Sequence, residues 1–169
     1  MSINLYNYKS IILKSILTKN LSITDINLIC KLKDQEWKFG INLQKNWFKK
    51  NVKLNDIHNL LYIKSELVGY TLLRKKSLIN KKLKKRFNYL LLDTMIIKEK
   101  NRGKKLSNLI MNLNNYVIAQ TGFFSILTCD KKLVIFYKKF GWIEFEKKYF
   151  ILNNIVLKKK CMIFNLKKK

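Results

Sequence analysis

Residues 102 to 107 read Arg-Gly-Lys-Lys-Leu-Ser, one glycine among three cations at the point where an apolar run gives way to helical spacing. A chain turning here from strand to helix leaves the first backbone N–H groups of the helix unpaired and aimed into the turn. With the helix dipole behind them and Arg102, Lys104 and Lys105 beside them, these amides suit an anion such as a pyrophosphate. An ordinary solvated turn in a lysine-rich chain is the alternative reading. The stretch fits neither GxxxxGK[ST] nor GxGxxG, which disfavours nucleotide hydrolysis and dinucleotide binding.

Other residues with chemistry to offer are few. Asp93 is the only acid inside the apolar run "FNYLLLDTMII", and a carboxylate buried there without a purpose would be costly. His58 is the only histidine; near the start of a strand its usual role is structural, with a substrate-side residue as the alternative. Cys30, Cys129 and Cys161 lie far apart without a CxxC, too little for zinc and an odd number for a disulfide framework. They are expected to be buried thiols, and no metal is expected.

The elements that must position these residues follow from periodicity. A length of 169 residues fits one domain spanning 1–169. "SITDINLICKLKDQEW", with Ser22 or Thr24 as N-cap, predicts a first helix through Ile26, Ile29, Cys30 and Leu32. "NLQKNWFKKN" predicts a second, short one, with Gly40 in the loop between. "DIHNLLYIKSELVGYTLLRKK" predicts two strands joined at "KSE", with Gly69 marking a bulge or a close backbone approach in the second. A lysine-rich segment, 75 to 86, then separates this hairpin from a central strand apolar on both parities, expected to be covered on both faces. Leu106, Leu109, Ile110, Leu113 and Val117 predict an amphipathic helix that stops at Thr121 and Gly122. A buried strand at "FFSILTC", a short helix from Asp130 and a hairpin turning at Asn153 and Asn154 complete the chain. The order is strand, helices, three strands, helix, strand, helix, two strands, a mixed α/β sandwich built on one sheet.

Charge is large and evenly spread. The net charge is +26, yet only three of 36 basic residues are arginine, while lysine, asparagine and isoleucine are abundant throughout and proline is absent. Nucleic-acid binding would rather predict clustered arginines with aromatics interleaved. A solvated lysine surface, shaped by AT-rich coding, is the preferred reading, and nucleic acid is a possible but not favoured partner. No run approaches the roughly 18 to 20 apolar residues of a membrane span. The first twenty residues carry lysines and no apolar region followed by small residues, so no secretory signal and a soluble, cytoplasmic protein are expected.

The series "LVGYTLL", "LLLDTMIIKEKNRGKKLSNLIM", "GFFSILTC" and "FYKKFGW", in this order and spacing, resembles the GNAT superfamily of acetyl-CoA-dependent N-acetyltransferases, most strongly from Leu67 to Trp142. The resemblance implies a GNAT-like acyl-CoA N-acyltransferase fold, with a single mixed, mostly antiparallel central sheet flanked by helices. It places a turn that holds the CoA pyrophosphate at Arg102, Gly103, Lys104, Lys105, Leu106 and Ser107. Lys105 and Ser107 stand where the family carries glycines; both can donate to phosphate, and Lys105 needs a backbone angle that a lysine tolerates. The backbone of Met95, Ile96 and Ile97 is implied to pair with the pantetheine arm and polarise the thioester carbonyl. The later aromatic signature maps onto Phe136, Tyr137, Gly141 and Trp142, and Asp130 replaces the asparagine common before it.

What the resemblance implies for chemistry is direct transfer of an acetyl group from acetyl-CoA to a primary amine. The acceptor would be a small metabolite or amino sugar first, a protein amine second. Tyr137 would protonate the departing sulfur; the alternative is a packing tyrosine. Asp93 would take a proton from the incoming ammonium or attract it; the alternative is a structural carboxylate. Trp37, Trp47 and Phe48 come from the region that walls the acceptor site in the family, with core packing as the alternative. A monomer or homodimer is expected. The rivals are a non-catalytic basic nucleic-acid-binding module and a CoA-binding sensor on the same scaffold. Burial of residues 102 to 107 against protein would remove the acyl-transfer reading.

Overall fold

The computed structural model describes residues 3–8, 11–80, 83–146, 150–151 and 159–166. They form a mixed α/β fold of mostly antiparallel strands with helices, divided into two compact units. The first comprises Met1–Arg74 and Thr94–Asn114, the second Lys75–Asp93 and Asn115–Lys169.

In the first unit the N-terminal residues make two antiparallel strands, β1 (Ile3–Tyr8) and β2 (Ile11–Leu17), where one was expected. Interspersed lysine and asparagine blur the alternation that would have separated them. Helix α1 (Ile23–Trp37) starts at a capping box: the Asp25 N–H donates to Ser22 Oγ at 3.0 Å, and the Ser22 N–H to the Asp25 carboxylate at 3.3 Å. Helix α2 (Ile41–Asn51) follows Gly40, whose φ of 90° a side chain would resist. Strands β3 (Ile57–Ile63) and β4 (Glu66–Asn80) form the expected hairpin, turning through Lys64 and Ser65, both left-handed at φ 46° and 64°. That is the twist a two-residue hairpin loop demands.

Gly69 marks the expected irregularity. The β3–β4 register shifts between Leu61 and Tyr62, and a Cβ on Gly69 would stand 2.9 Å from Ile97 Cδ1 and 3.1 Å from Leu61 Cδ2. Its absence lets strand β5 (Lys85–Ile97) close against this bulge, where the Lys98 N–H donates to the Val68 carbonyl at 2.8 Å. One face of the sheet packs Leu60, Tyr70, Leu72 and Ile96 against Ile29, Cys30 and Phe48. On the other, Leu61, Val68 and Ile97 meet Leu106 and Ile110 of helix α3 (Leu106–Thr121). Leu109, placed on the buried stripe by its spacing, is 36% exposed, and Asn114 is fully buried.

In the second unit, the lysine-rich stretch expected to separate two strands is itself strand: β4 runs to Asn80 and β5 begins at Lys85. Within it only Leu78 is buried among Lys75, Ser77 and Ile79, so the period-2 signal was one residue deep. Strand β6 (Ser125–Cys129) runs parallel to β5, and Gly122, at φ 70°, ends the preceding helix. A 3-10 turn over Lys131–Leu133 leads into helix α4 (Val134–Lys138), so the short helix starts later than Asp130. Strands β7 (Ile143–Glu144), β8 (Phe150–Ile151) and β9 (Lys160–Phe164) follow; β9 pairs antiparallel with β6 and β7. The turn expected at Asn153 and Asn154 lies outside the described residues. Leu78, Tyr89, Ile126 and Ile163 form the core, and Trp142 Nε1 donates to Asn115 Oδ1 at 3.0 Å.

Cys30, Cys129 and Cys161 are buried, and none of them forms a disulfide among the described residues. Among the described residues no helix is long and apolar enough to cross a membrane.

Candidate functional site

The first unit carries the turn. After Ile97 a 3-10 turn over Glu99–Asn101 delivers the chain to Arg102, Gly103, Lys104 and Lys105, all exposed. Gly103 and Lys105 both hold left-handed backbone, at φ 79° and 57°. Lys105 therefore adopts the conformation that favours glycine, and does so as an exposed residue. Among the described residues the N–H groups of Gly103, Lys105, Leu106 and Ser107 have no hydrogen-bond partner, while the Asn108 N–H donates to the Lys105 carbonyl at 3.0 Å. Leu106 is buried and Ser107 half-buried, so the start of helix α3 is anchored through Leu106 while its first amides stay open.

The cations divide between two tasks. Arg102 Nε donates to the Ile97 carbonyl at 3.1 Å, and its guanidinium pairs with the Glu36 carboxylate at the end of α1. Arg102 thus braces the turn, and Lys104 and Lys105 stand exposed beside it. Upstream, Lys98 and Lys100 both bind Glu66, at 2.5 and 2.9 Å, and hold its carboxyl below the usual range. Beside this pairing lies a cleft of about 170 Å³, floored by Leu28, Leu32 and Leu67 and edged by Lys31, Glu66 and Lys98.

Ile96 and Ile97 point into opposite apolar clusters, and Met95 is half-buried beside the second. Asp93 differs from expectation: it is exposed, so the argument from the cost of a buried carboxylate falls. The reason lies in the strand pairing. Among the described residues the parallel β5–β6 ladder registers only Leu90 with Ser125 and Leu91 with Ile126, although β6 continues to Cys129 along β9. Past Leu91 the two strands part, and Asp93 stands in the open beyond that point.

Tyr137, in the second unit, is 8% exposed. Burial, with Cys129 nearby, pushes its phenol up to about 12. Among the described residues its hydroxyl has no hydrogen-bond partner, while its ring meets Phe136 and Trp142 edge-on at 5.1 and 6.1 Å. Phe136 is half-buried and also meets Phe140 at 5.1 Å. Asp130 is exposed and precedes the 3-10 turn; its carbonyl accepts from the Leu133 N–H at 2.9 Å, and its side chain makes no cap.

His58 is fully buried, its Nε2 2.8 Å from Thr18 Oγ1 and its Nδ1 2.8 Å from the Tyr70 hydroxyl. Burial drives it down to about 3, so the ring is neutral and part of the core. Phe48 stacks on it at 5.6 Å and is core as well. Trp47 is clamped by cations, with Lys33 Nζ 3.5 Å and Arg74 Cζ 5.4 Å from its ring centre; Trp37 is 39% exposed. Glu36, the brace for Arg102, was missed by sequence reasoning because 66 residues separate the pair. Asn114 was missed too, although a polar residue on the buried face of a helix is a visible signal.

No protein-family model matches the sequence, and no curated protein matches it. Solved structures do. ElaA of Escherichia coli superposes with a TM-score of 0.64 at 17% identity, over 90% of this chain and 98% of its own. The PaiA N-acetyltransferase of Thermoplasma acidophilum, solved with coenzyme A, gives 0.57 at 14% identity over 89% and 97%. An aminoglycoside 6'-N-acetyltransferase, also complexed with coenzyme A, gives 0.64 at 13% identity over 88% and 93%. The fold is that of the GNAT acyl-CoA N-acyltransferases.

Proposed function

We propose that this chain, a GNAT fold over nearly its whole length, is a single-domain N-acetyltransferase that moves an acetyl group from acetyl-CoA to a primary amine. The observation that carries the reading is the open turn at the start of α3, where Lys105 holds a glycine-like φ of 57° beside Gly103 and the first helix amides lack partners. Left-handed backbone followed by free helix amides makes a concave row of donors for a diphosphate. The solved neighbours that hold coenzyme A support the same ligand class.

In this reading Gly103, Lys105, Leu106 and Ser107 hold the diphosphate through backbone N–H groups, with Lys104 and Lys105 supplying charge. Acetyl-CoA supplies the thioester, whose carbon gains a bond to the amine nitrogen as the carbon–sulfur bond breaks. The peptide groups of Met95, Ile96 and Ile97 orient the arm and polarise the carbonyl. Tyr137 gives its phenolic proton to the sulfur; a phenol at about 12 keeps that proton at neutral pH. Asp93, exposed, draws the ammonium and accepts its first proton, and the second, released from the nitrogen as the amide forms, returns to the Tyr137 phenolate. The acceptor we place first is a small amine or amino sugar, and a protein amine second.

Titration with acetyl-CoA followed by an amine panel, with free thiol as the readout, tests the proposal. A ligand that binds the native state raises its melting temperature with the logarithm of concentration. Stabilisation together with amine-dependent thiol release supports the enzyme. Stabilisation without release from any amine leaves a CoA-binding protein, and no stabilisation at millimolar acetyl-CoA removes the proposal.

A further inference from the structure

Asn59, Thr71 and Asn114 are each fully buried. Asn59 and Thr71 face each other across the β3–β4 ladder, and Asn114 reaches them from α3. Asn59 Nδ2 donates to Thr71 Oγ1 at 3.0 Å and to Asn114 Oδ1 at 3.2 Å; Thr71 Oγ1 donates to Asn114 Oδ1 at 3.1 Å. Asn59 Oδ1 and Asn114 Nδ2 are left without partners among the described residues. Reversing both amides exchanges donors and acceptors within the triad and again leaves one oxygen and one nitrogen unmet.

Such a cluster is a poor way to gain stability. A hydrogen bond that replaces one to water contributes little, whereas an unmet buried donor or acceptor carries the full cost of leaving water. What the triad supplies instead is direction. The apolar contacts of Leu106 and Ile110 with Leu61, Val68 and Ile97 tolerate sliding and rotation; hydrogen bonds fixed in length and angle do not. Asn114 lies eight residues into α3, about 12 Å from its first turn at 1.5 Å per residue, and a helix is stiff over that distance.

We infer that Asn59, Thr71 and Asn114 form a positioning clamp that sets the register and rotation of α3 on the sheet, and through it the placing of the Gly103 to Ser107 amides relative to the end of β5. The inference rests on the reading of that turn as a diphosphate site. It separates from a merely structural role because only a ligand carrying a diphosphate should sense it.

The test compares acetyl-CoA with S-acetyl-pantetheine, which has the same thioester arm and no diphosphate, by calorimetry on the full chain. The variants are Asn114→Leu, the double variant Asn59→Leu/Asn114→Leu, which leaves no amide behind, and the milder Thr71→Val. The double variant should melt close to the wild type, bind acetyl-CoA about tenfold more weakly, and keep its affinity for S-acetyl-pantetheine within about twofold. Should Asn114→Leu alone fail to fold, the double variant and Thr71→Val carry the comparison. Folded variants that keep the wild-type preference for acetyl-CoA, or lose both ligands equally, overturn the clamp. A wild type that shows no preference for the diphosphate ligand overturns the diphosphate reading itself, and the clamp with it.

Discussion

Gly103 and Lys105, two residues apart, both hold left-handed backbone, at φ 79° and 57°, in an exposed turn that leads into the longest helix of the chain. For a lysine this conformation costs about 1 kcal/mol. Lys105→Gly relieves that cost and loses about as much through the freer unfolded chain, so its urea midpoint should stay within about 0.5 kcal/mol of wild type. Lys105→Val, with a branched Cβ in the same conformation, should lose about 1–2 kcal/mol and bind acetyl-CoA more weakly than the glycine variant. Equal behaviour of the two variants would show that the angle is unimportant.

Arg102 is held by Glu36 in a half-exposed ion pair that contributes about 0–1 kcal/mol to stability. Glu36→Gln should therefore leave the unfolding curve almost unchanged. It also removes an anion from beside the turn and releases a cation toward it. Acetyl-CoA should bind about two- to fivefold more tightly at low salt, and the gain should shrink at higher ionic strength. Weaker binding would mean that the brace on the Ile97 carbonyl depends on Glu36.

Tyr137 makes a clean probe because its hydroxyl has no partner among the described residues, whereas its ring packs against Phe136 and Trp142. Tyr137→Phe keeps the packing, so melting should be unaffected. Turnover on a working amine should fall by about 10²- to 10³-fold. With the phenol pushed up to about 12, the wild-type rate should not decline between pH 7 and 9.5 through loss of this proton. Unchanged turnover in the phenylalanine variant would return Tyr137 to packing alone.

His58 gives stability a pH dependence of definite sign. Its folded value is about 3, against about 6.5 for a free histidine. Between those values the unfolded chain binds the proton and the folded chain does not. Stability from this source is complete above pH 6.5 and falls as the pH drops, by up to about 1.4 kcal/mol per pH unit, until the folded ring also protonates. His58→Gln should cost about 1–3 kcal/mol at pH 7 by disturbing the bonds to Thr18 and Tyr70. It should also flatten the decline between pH 7 and 5, a window above the carboxylate range. Urea midpoints at the two pH values decide it, and parallel slopes would contradict the assignment.

Much of what places the turn was legible locally. The Ser22–Asp25 cap, the Gly69 bulge, the strand into Ile97 and the helix from Leu106 each follow from side-chain type and period. The rest depends on neighbours distant in sequence. An apolar run on both parities suggested that Asp93 would be covered, but cover depends on how far β6 follows β5, and that ladder ends at Leu91. The strand over Lys75–Asn80 offered a single buried residue, Leu78, and lysines on either side hid it. The pairing of Arg102 with Glu36 had no local signature at all. Asn114 could have been noticed, since apolar stripes seldom carry an amide without a reason.

The most direct test of the central claim is a ¹H–¹⁵N titration of the full chain with acetyl-CoA, following individual amides. The account predicts that the N–H signals of Gly103, Lys105, Leu106 and Ser107 move downfield together and saturate as hydrogen bonds to the diphosphate form. If those four signals stay in place while others shift, or nothing shifts at millimolar ligand, the turn at the start of α3 is not the diphosphate site.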